Sequence, residues 1–507
     1  MVLVSISLSQ GVVGAAVAYS LYWAYWELTV GTARRRMIKE HGCKPAKKLP
    51  QMDPILGLDL LYSSLRALKR HTFIEESKRR FDQTGNTFQS HMVGRNAILT
   101  IEPENLKTML SLKFKDFGLG PQRRAFLPLL GAGIFTTDGA AWQHSRELIR
   151  PNFVRSQVGD LDTFERHVNH LIQAIPRDGS TVNLQDLFLR LTIDSATEFL
   201  FGESTNCLAP GTSTESSNAF AEAFNRSQES IGNHARLGIL RHLLPDSEFK
   251  RDVKTVHDFA DRYVNRALEY RQTHDVEKAD LQSDGRYVFL NELSKGTTDP
   301  VQIRSDLLNV LLAGRDTTAS LLSNVWWMLS KRPDVWAKLR AEVDSLAGEM
   351  PTYAQIKDMK YLRFVLNESL RIHPVVPGNA RMALKDTVVP LGGGPDGKSP
   401  LFIPKGWSLA WSVWTMHRRK DFYGEDAEEF KPERWETLRP GWEYLPFNGG
   451  PRICIGQQYA LTEASYTTIR LMQAFSKIES RDPEPWREWL TLTATGLGGA
   501  KVSLTPA

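Results

Sequence analysis

Three cysteines lie far apart in the chain, Cys43, Cys207 and Cys454, and only the last has surroundings suited to chemistry. It sits in Phe447-Asn-Gly-Gly-Pro-Arg-Ile-Cys454-Ile-Gly456. Gly449, Gly450 and Gly456 permit a backbone that curls its N–H groups toward the sulfur. Phe447 and Ile455 offer an apolar cover, and Arg452 places a cation two residues before the thiol. The apolar-periodic run from Gln457 to Met472 predicts a helix whose N-terminus favours an anionic sulfur. Turn, cover and cation are what a thiolate ligand to haem iron requires, with Arg452 suited to the acidic propionates. Taken alone, Cys454 reads as a core cysteine in a glycine-rich turn, and it is the complete pattern that favours the ligand. Cys43 and Cys207 keep the core reading. An odd, sparse set without a CxxC pair argues against disulfides and for a reducing compartment.

Leu311-Leu-Ala-Gly-Arg-Asp-Thr-Thr318 carries a second chemical signal. Ala313 and Thr317 are four apart and share a helix face. Gly314 weakens the helix there and allows close approach. A hydroxyl at Thr317 beside an acid at Asp316 is what proton delivery to oxygen needs. In isolation, a threonine bonding back to its own buried helix explains the same residues equally well. Glu368-Ser-Leu-Arg371 is weaker, because ExxR recurs at Glu147 to Arg150 and Glu436 to Arg439. Its position between the Asp-Thr segment and the cysteine loop sets it apart, and Pro432-Glu-Arg434-Trp435 follows it. Trp142-Gln-His-Ser-Arg146 puts an aromatic and a cation on one helix face, and Arg381 follows Arg371 by ten residues.

These segments, in this order, resemble the motifs of cytochromes P-450. The FxxGxRxCxG loop is specific, and the others support it through their order from Trp142 to Gly456. The resemblance implies Cys454 as axial thiolate of haem b. It implies Arg452, Trp142, Arg146 and Arg381 as contacts of the haem, and Asp316 and Thr317 as the proton-delivering pair. It implies Glu368, Arg371 and Arg434 as a structural triad, with His417 a polar neighbour or a loop residue. Leu312-Ala-Gly-Arg-Asp-Thr-Thr, Leu461-Thr-Glu-Ala-Ser-Tyr466 and Gly392-Gly-Gly-Pro-Asp-Gly-Lys-Ser399 are closest in flavour to the fungal branch that hydroxylates alkanes and fatty acids.

The elements that must position these residues are predominantly helical. Apolar spacings of three and four predict helices at Leu60 to Asp82, Gly139 to Ser156, Val253 to His274 and Thr352 to Ile372. Thr87 to Leu99 and Gly406 to Ser412 read as strands, and Thr387 to Gly406 as a Gly/Pro-rich loop or hairpin. The expected fold is mainly α with small β regions, the cytochrome P-450 fold, preceded by a transmembrane helix. Residues 1–30 form that anchor, 31–57 a basic, Pro-containing hinge, and 58–507 one haem domain. Val2 to Trp26 has no charged side chain and ends in Tyr19, Tyr22, Trp23, Tyr25 and Trp26. Arg34, Arg35, Arg36 and Lys39 follow, which predicts a cytosolic body on a single-pass anchor in the endoplasmic reticulum. A cleaved signal peptide fits less well, since the stretch is long and lacks a basic start.

A chain with 41% hydrophobic and 24% charged residues is neither disordered nor disulfide-rich. The +5 net charge is dispersed outside the one N-terminal basic cluster, which excludes a nucleic-acid binder and suits lipid or an acidic partner. The resemblance further implies insertion of one atom of O2 into a lipophilic substrate. Electrons come from NADPH through a separate cytochrome P-450 reductase, with cytochrome b5 as a further partner. Phe117, Leu119, Leu129, Leu130, Ala313, Val375, Val376 and Leu497 are the expected apolar lining, and for each ordinary core packing is an equal reading. The region Ser217 to Leu244 is expected to face substrate as well. Arg123 and Arg124 read as solvated, with a substrate carboxylate as the rarer role. Tailoring of a polyketide or terpenoid in fungal secondary metabolism is the alternative to alkane or fatty-acid hydroxylation. An isomerase or dehydratase of the same ligation, working without O2, is disfavoured by Asp316-Thr317.

Overall fold

A computed structural model describes residues 8–153, 161–209, 211, 214–237, 246–273 and 288–507. The chain enters through α1 (Leu8–Trp26), passes a five-residue π-helical stretch, and continues as α2 (Thr32–Glu40). The apolar side chains of α1 are exposed, among them Val12, Val13, Val17, Tyr22 and Trp23. Among the described residues no helix is long and apolar enough to cross a membrane. Residues 1–7 of the expected anchor lie outside the described residues.

The expected hinge, residues 31–57, contains α2 and the short strand β1 (Lys47–Lys48). Arg34 of α2 binds Asp386 through both carboxylate oxygens at 2.9 Å. β1 opens a six-stranded sheet with β2 (Thr87–Met92), β3 (Arg95–Thr100), β4 (Phe117–Gly118), β5 (Gly378–Ala383) and β6 (Ser408–Ser412). Their order is β1-β2-β3-β6-β5-β4. Thr87 to Leu99 is therefore two strands, turned at Val93 and Gly94, whose φ angles are positive. Thr387 to Gly406 contains the antiparallel pair Thr387–Gly393 and Ser399–Ile403.

Helices form the bulk of the body. Those that build the site are α3 (Gly139–Ile149), α4 (Leu184–Phe201), α5 (Ser247–Thr273), α6 (Pro300–Lys331), α7 (Lys360–Ile372) and α8 (Gln457–Ala474). The helix predicted over Leu60 to Asp82 is two, Leu58–Lys69 and Phe73–Thr84. His71 takes a positive φ between them, and Glu488 accepts from the Ile74 N–H at 3.0 Å to cap the second. Thr352 to Ile372 likewise breaks at Met359 into Tyr353–Asp358 and α7. A break of one or three residues leaves apolar spacing nearly in phase, so periodicity does not register it.

The 32-residue α6 runs through the centre. Asp299 caps it by accepting from the Val301 N–H at 2.9 Å, and Pro300 occupies its first position. Leu307, Leu308, Leu311, Leu322, Val325 and Trp326 are fully buried, so it is apolar around most of its circumference. Its second half packs with α4, α7 and α8 into one core cluster, with Leu366, Ile469 and Met472.

α7 is held to the chain beyond residue 417 by a saturated ionic cluster. The Glu368 carboxylate is 0% exposed and accepts five hydrogen bonds: Arg371 Nε and Nη2, Arg434 Nε, Trp435 Nε1 and the Lys431 N–H, at 2.8–3.0 Å. Arg371 sends its other donors to the carbonyls of His417, Ala427 and Glu429. Arg434 does the same at Tyr423, Asp426 and Glu429. Buried charge of this kind is tolerable only when every partner is present. Glu368→Ala is expected to destabilise the fold by about 3–5 kcal/mol, because it leaves the buried Arg371 without a carboxylate and Arg434 with Asp426 alone. Equilibrium urea unfolding measures the loss.

Candidate active site

The cysteine loop is closed by its own backbone, Cys454 N–H to Phe447 O and Ile453 N–H to Gly450 O, both 3.0 Å. Gly450 has φ +69°, and a Cβ there would lie 1.9 Å from the Leu110 carbonyl oxygen, so only glycine fits. The loop is thus pressed against the segment that leads into β4. His417 is fully buried and accepts from the Leu445 N–H at 2.9 Å through Nε2. Its ring stacks on Tyr444, and burial together with Arg371 pushes its pKa down to about 3. It is therefore a neutral brace at the entrance to the loop. The Cys454 side chain is exposed, yet enclosure by protein is the largest influence on its thiol, so it opens inward. That enclosure raises the pKa, opposed by the Gly456 N–H and by Arg146.

Around the loop stands a group of arginines. Arg452 donates to Asp138 Oδ1 at 2.7 Å and to the Thr137 carbonyl at 2.9 Å, and lies 4.4 Å over the Trp142 ring. Arg146 donates to the Ile453 carbonyl at 3.2 Å. Arg381 and Arg123 both donate to Asn379 Oδ1 at 3.2 Å. From the sequence Arg123 reads as solvated or, more rarely, as a partner of a substrate carboxylate, and its place among these arginines is not anticipated there. Arg124 is exposed. Among the described residues Asp138 is the one carboxylate bonded to this group. Burial, then repulsion from Arg123 and Arg452, pulls Arg381 down to about 9. Burial and the neighbouring arginines likewise pull Arg452 to about 10, against Asp138. Four guanidiniums and one carboxylate form a site short of negative charge, and two propionates would relieve it. Beside an inward-facing thiol, the donor set fits haem.

Opposite lies α6. Val310, Ala313, Gly314 and Thr317 are half-buried while Leu311, Leu312, Arg315, Asp316 and Thr318 are buried, which marks one helix face as open to the interior. Thr317 Oγ1 donates to the Ala313 carbonyl at 2.5 Å, the back-bond that a helix interior favours, and keeps its lone pairs free to accept. A Cβ on Gly314 would make only an ordinary van der Waals contact, 3.9 Å from Ala196 of α4, so packing against α4 does not require the missing side chain. Asp316 pairs with its neighbour Arg315 at 2.5 Å, and burial nevertheless raises its pKa. Neighbours in sequence do not face each other on an ideal helix, so the motif alone gave no sign of this pair.

The expected apolar lining divides. Ala313, Val376 and Leu497 are half-buried. Phe117 pairs with Ala383 across β4 and β5 and is buried. Val375 belongs to the central core, and Leu129 and Leu130 are fully buried against the first half of α6. Asn309 fixes that contact by donating to the Leu130 carbonyl at 2.9 Å and accepting from the Phe135 N–H at 3.0 Å. Hydrogen bonds also join three segments that flank the interior face: Ser320 Oγ to the Ala494 carbonyl, 2.6 Å, and the Ala494 N–H to the Val375 carbonyl, 2.9 Å. Residues 238–244 of the expected Ser217 to Leu244 region lie outside the described residues.

The family model for Cytochrome P450 matches residues 49–498. The chain is 47% identical over 469 residues to cytochrome P450 monooxygenase himC of Aspergillus japonicus, covering 92% of this chain and 84% of that one. It is 43% identical over 489 residues to cytochrome P450 52A12 of Debaryomyces hansenii, covering 92% and 93%. It is 43% identical to cytochrome P450 monooxygenase fsdH of Fusarium heterosporum, covering 98% and 90%. The chain belongs to the cytochrome P450 family and is an oxidoreductase of its monooxygenase class.

Arg123→Ala is expected to speed haem loss about tenfold or more, the scale of one charge-assisted hydrogen bond. Transfer of haem from the purified protein to an excess of an apo-globin measures it.

Proposed function

We propose that this protein is a membrane-anchored haem-thiolate hydroxylase of long-chain lipophilic substrates, fatty acids or alkanes. The observation that carries the chemistry is the gathering of Arg123, Arg146, Arg381 and Arg452 around the Cys454 loop with one carboxylate, Asp138, bonded to them among the described residues. Cys454 would ligate the iron, and Arg123, Arg146, Arg381 and Arg452, with Trp142, would hold the propionate edge. When bound, haem supplies the reductive activation of O2 and the transfer of one oxygen atom, driven by electrons from a separate NADPH-dependent reductase.

The chain's own residues handle protons and position. Thr317 offers a hydroxyl on the interior face, already committed as a donor to Ala313 and free to accept. Asp316 is the proton carrier, and its bond to Arg315 holds it on the buried side. Proton delivery then requires the carboxylate to turn from Arg315 toward the interior face, so Arg315 sets the rate at which the relay opens. Substrate lies along Ala313, Val376 and Leu497, and an apolar chain needs no further polar partner there.

Residues 1–30 serve as the anchor in the endoplasmic reticulum, with the body in the cytosol. The exposed apolar and aromatic side chains of α1 and the basic residues Arg34 to Arg36 after it support this. The bidentate Arg34–Asp386 pair supports a fixed seat for the body close beneath the bilayer.

Titration of the purified ferric protein with fatty acids, alkanes, polyketides and terpenoids tests the substrate class by the spin-state shift of the Soret band. A shift with long-chain fatty acids or alkanes is expected, and a response confined to a polyketide or terpenoid would replace the class. Cys454→Ala is expected to abolish the red-shifted Soret band of the reduced carbon-monoxide complex, and a variant that kept it would remove the ligand assignment. Thr317→Ala is expected to bind substrate as before while diverting reductant to hydrogen peroxide about tenfold more, within the range for loss of one proton-transfer group. Peroxide release per NADPH consumed reads the effect.

A further inference from the structure

Where α4, α6 and α8 meet, three polar side chains are sealed from solvent: Ser195 at 1% exposure, Thr318 at 1% and Glu463 at 2%. The Ser195 hydroxyl donates to Glu463 Oε1. The Thr318 hydroxyl lies beside the same carboxyl and is otherwise without a partner. Thr318 directly follows Thr317. Neither the ligand loop nor the Glu368 cluster uses this acid.

The charged groups nearby are accounted for. Along α8, Arg470 and Tyr466 pair with Glu165. Along α4, Glu198 pairs with His167 and Arg166. On α6, Asp316 pairs with Arg315. Among the described residues the groups that act on Glu463 are the Ser195 and Thr318 hydroxyls, and no cation offsets it. A buried carboxylate without a counter-ion is costly, and the group lowers that cost by keeping its proton. Burial pushes Glu463 up to about 7, so it is largely protonated in mildly acidic solution and ionises around neutrality.

We propose that Glu463 is a positioning residue for the oxygen-handling face of α6. Its protonated carboxyl donates to Thr318, accepts from Ser195, and so fixes the rotation of α6 about its axis at the residue next to Thr317. The protonated acid joins three helices in one hydrogen-bonded chain, Ser195 to Glu463 to Thr318. Loss of the proton reverses the last bond and places an uncompensated charge between α6 and α8, which relaxes that rotation. Coupling of reductant consumption to product therefore falls as pH rises through the Glu463 transition. The folded state binds the extra proton between the ordinary value of 4.5 and about 7, so stability also declines as pH rises across that window.

This inference rests on the proposed monooxygenase reaction, and its test has a readout that needs no turnover. In infrared difference spectra of the full-length protein, a protonated-carboxyl band is expected to vanish as pH rises through about 7 and to be missing from Glu463→Gln. Coupling in the parent is expected to drop about twofold from mildly acidic to mildly alkaline solution, while Glu463→Gln, which keeps both hydrogen bonds without titrating, stays flat. Thr318→Val removes the partner hydroxyl and is expected to be pH-independent and uncoupled by about the same factor throughout. A parent without a titrating carboxyl band, a Glu463→Gln profile that still follows the parent's, or a Thr318→Val protein as well coupled as the parent at low pH would each overturn the proposal. Failure of the underlying reaction would show separately, as a missing thiolate band in the reduced carbon-monoxide complex.

Discussion

A carboxylate can be sealed inside a protein only if its lone pairs are satisfied, and Glu368 shows what that demands of a chain. Five donors converge on its two oxygens, from residues 371, 431, 434 and 435. The arginines it binds spend their remaining N–H groups on carbonyls between residues 417 and 429. A stretch with almost no regular structure is thereby held as firmly as a helix. His417 passes the constraint on through the Leu445 N–H, and the ligand loop begins two residues later. The position of Cys454 thus depends on an ionic cluster that touches no reacting atom.

The arginine group follows the opposite logic. Here charge is left unbalanced, with Asp138 the one acid bonded to Arg452 among the described residues and burial working against Arg381 and Arg452 alike. Such an arrangement raises the free energy of the protein without its cofactor and lowers it once an anion arrives. Binding and folding are coupled through that imbalance. The two clusters divide the work: one is neutralised internally and fixes the backbone, the other is completed by a ligand.

What could be read in advance follows from how local each signal is. The cysteine loop is contiguous, so its glycines, cover and cation stand together in the sequence. The Asp316-Thr317 motif stands out in the sequence for the same reason, but the bond of Asp316 to Arg315 does not, because rotamers decide whether adjacent helical residues meet. Arg123 and Asn379 lie far apart in the chain and meet only through tertiary packing. Periodicity found the helices and missed the breaks at His71 and Met359, where too few residues intervene to disturb the phase. The segment taken for a hinge between residues 31 and 57 carries a helix and a strand bonded to the body, since the partner of Arg34 is Asp386, far along the chain. Leu130 shows the limit of composition, since an apolar residue reads alike in a wall and in a core.

The hydrogen bonds from Ser320 to Ala494 and from Ala494 to Val375 bind three segments that flank the interior into one body. Each segment has lost the freedom to drift alone. A substitution tolerated in one will change what the others tolerate, so the history of this pocket is written in groups of replacements. Relatives with altered pockets should differ by correlated sets across α6, residues 375–379 and residues 493–497. New specificities would then arise in steps, each gated by the background in which it occurs.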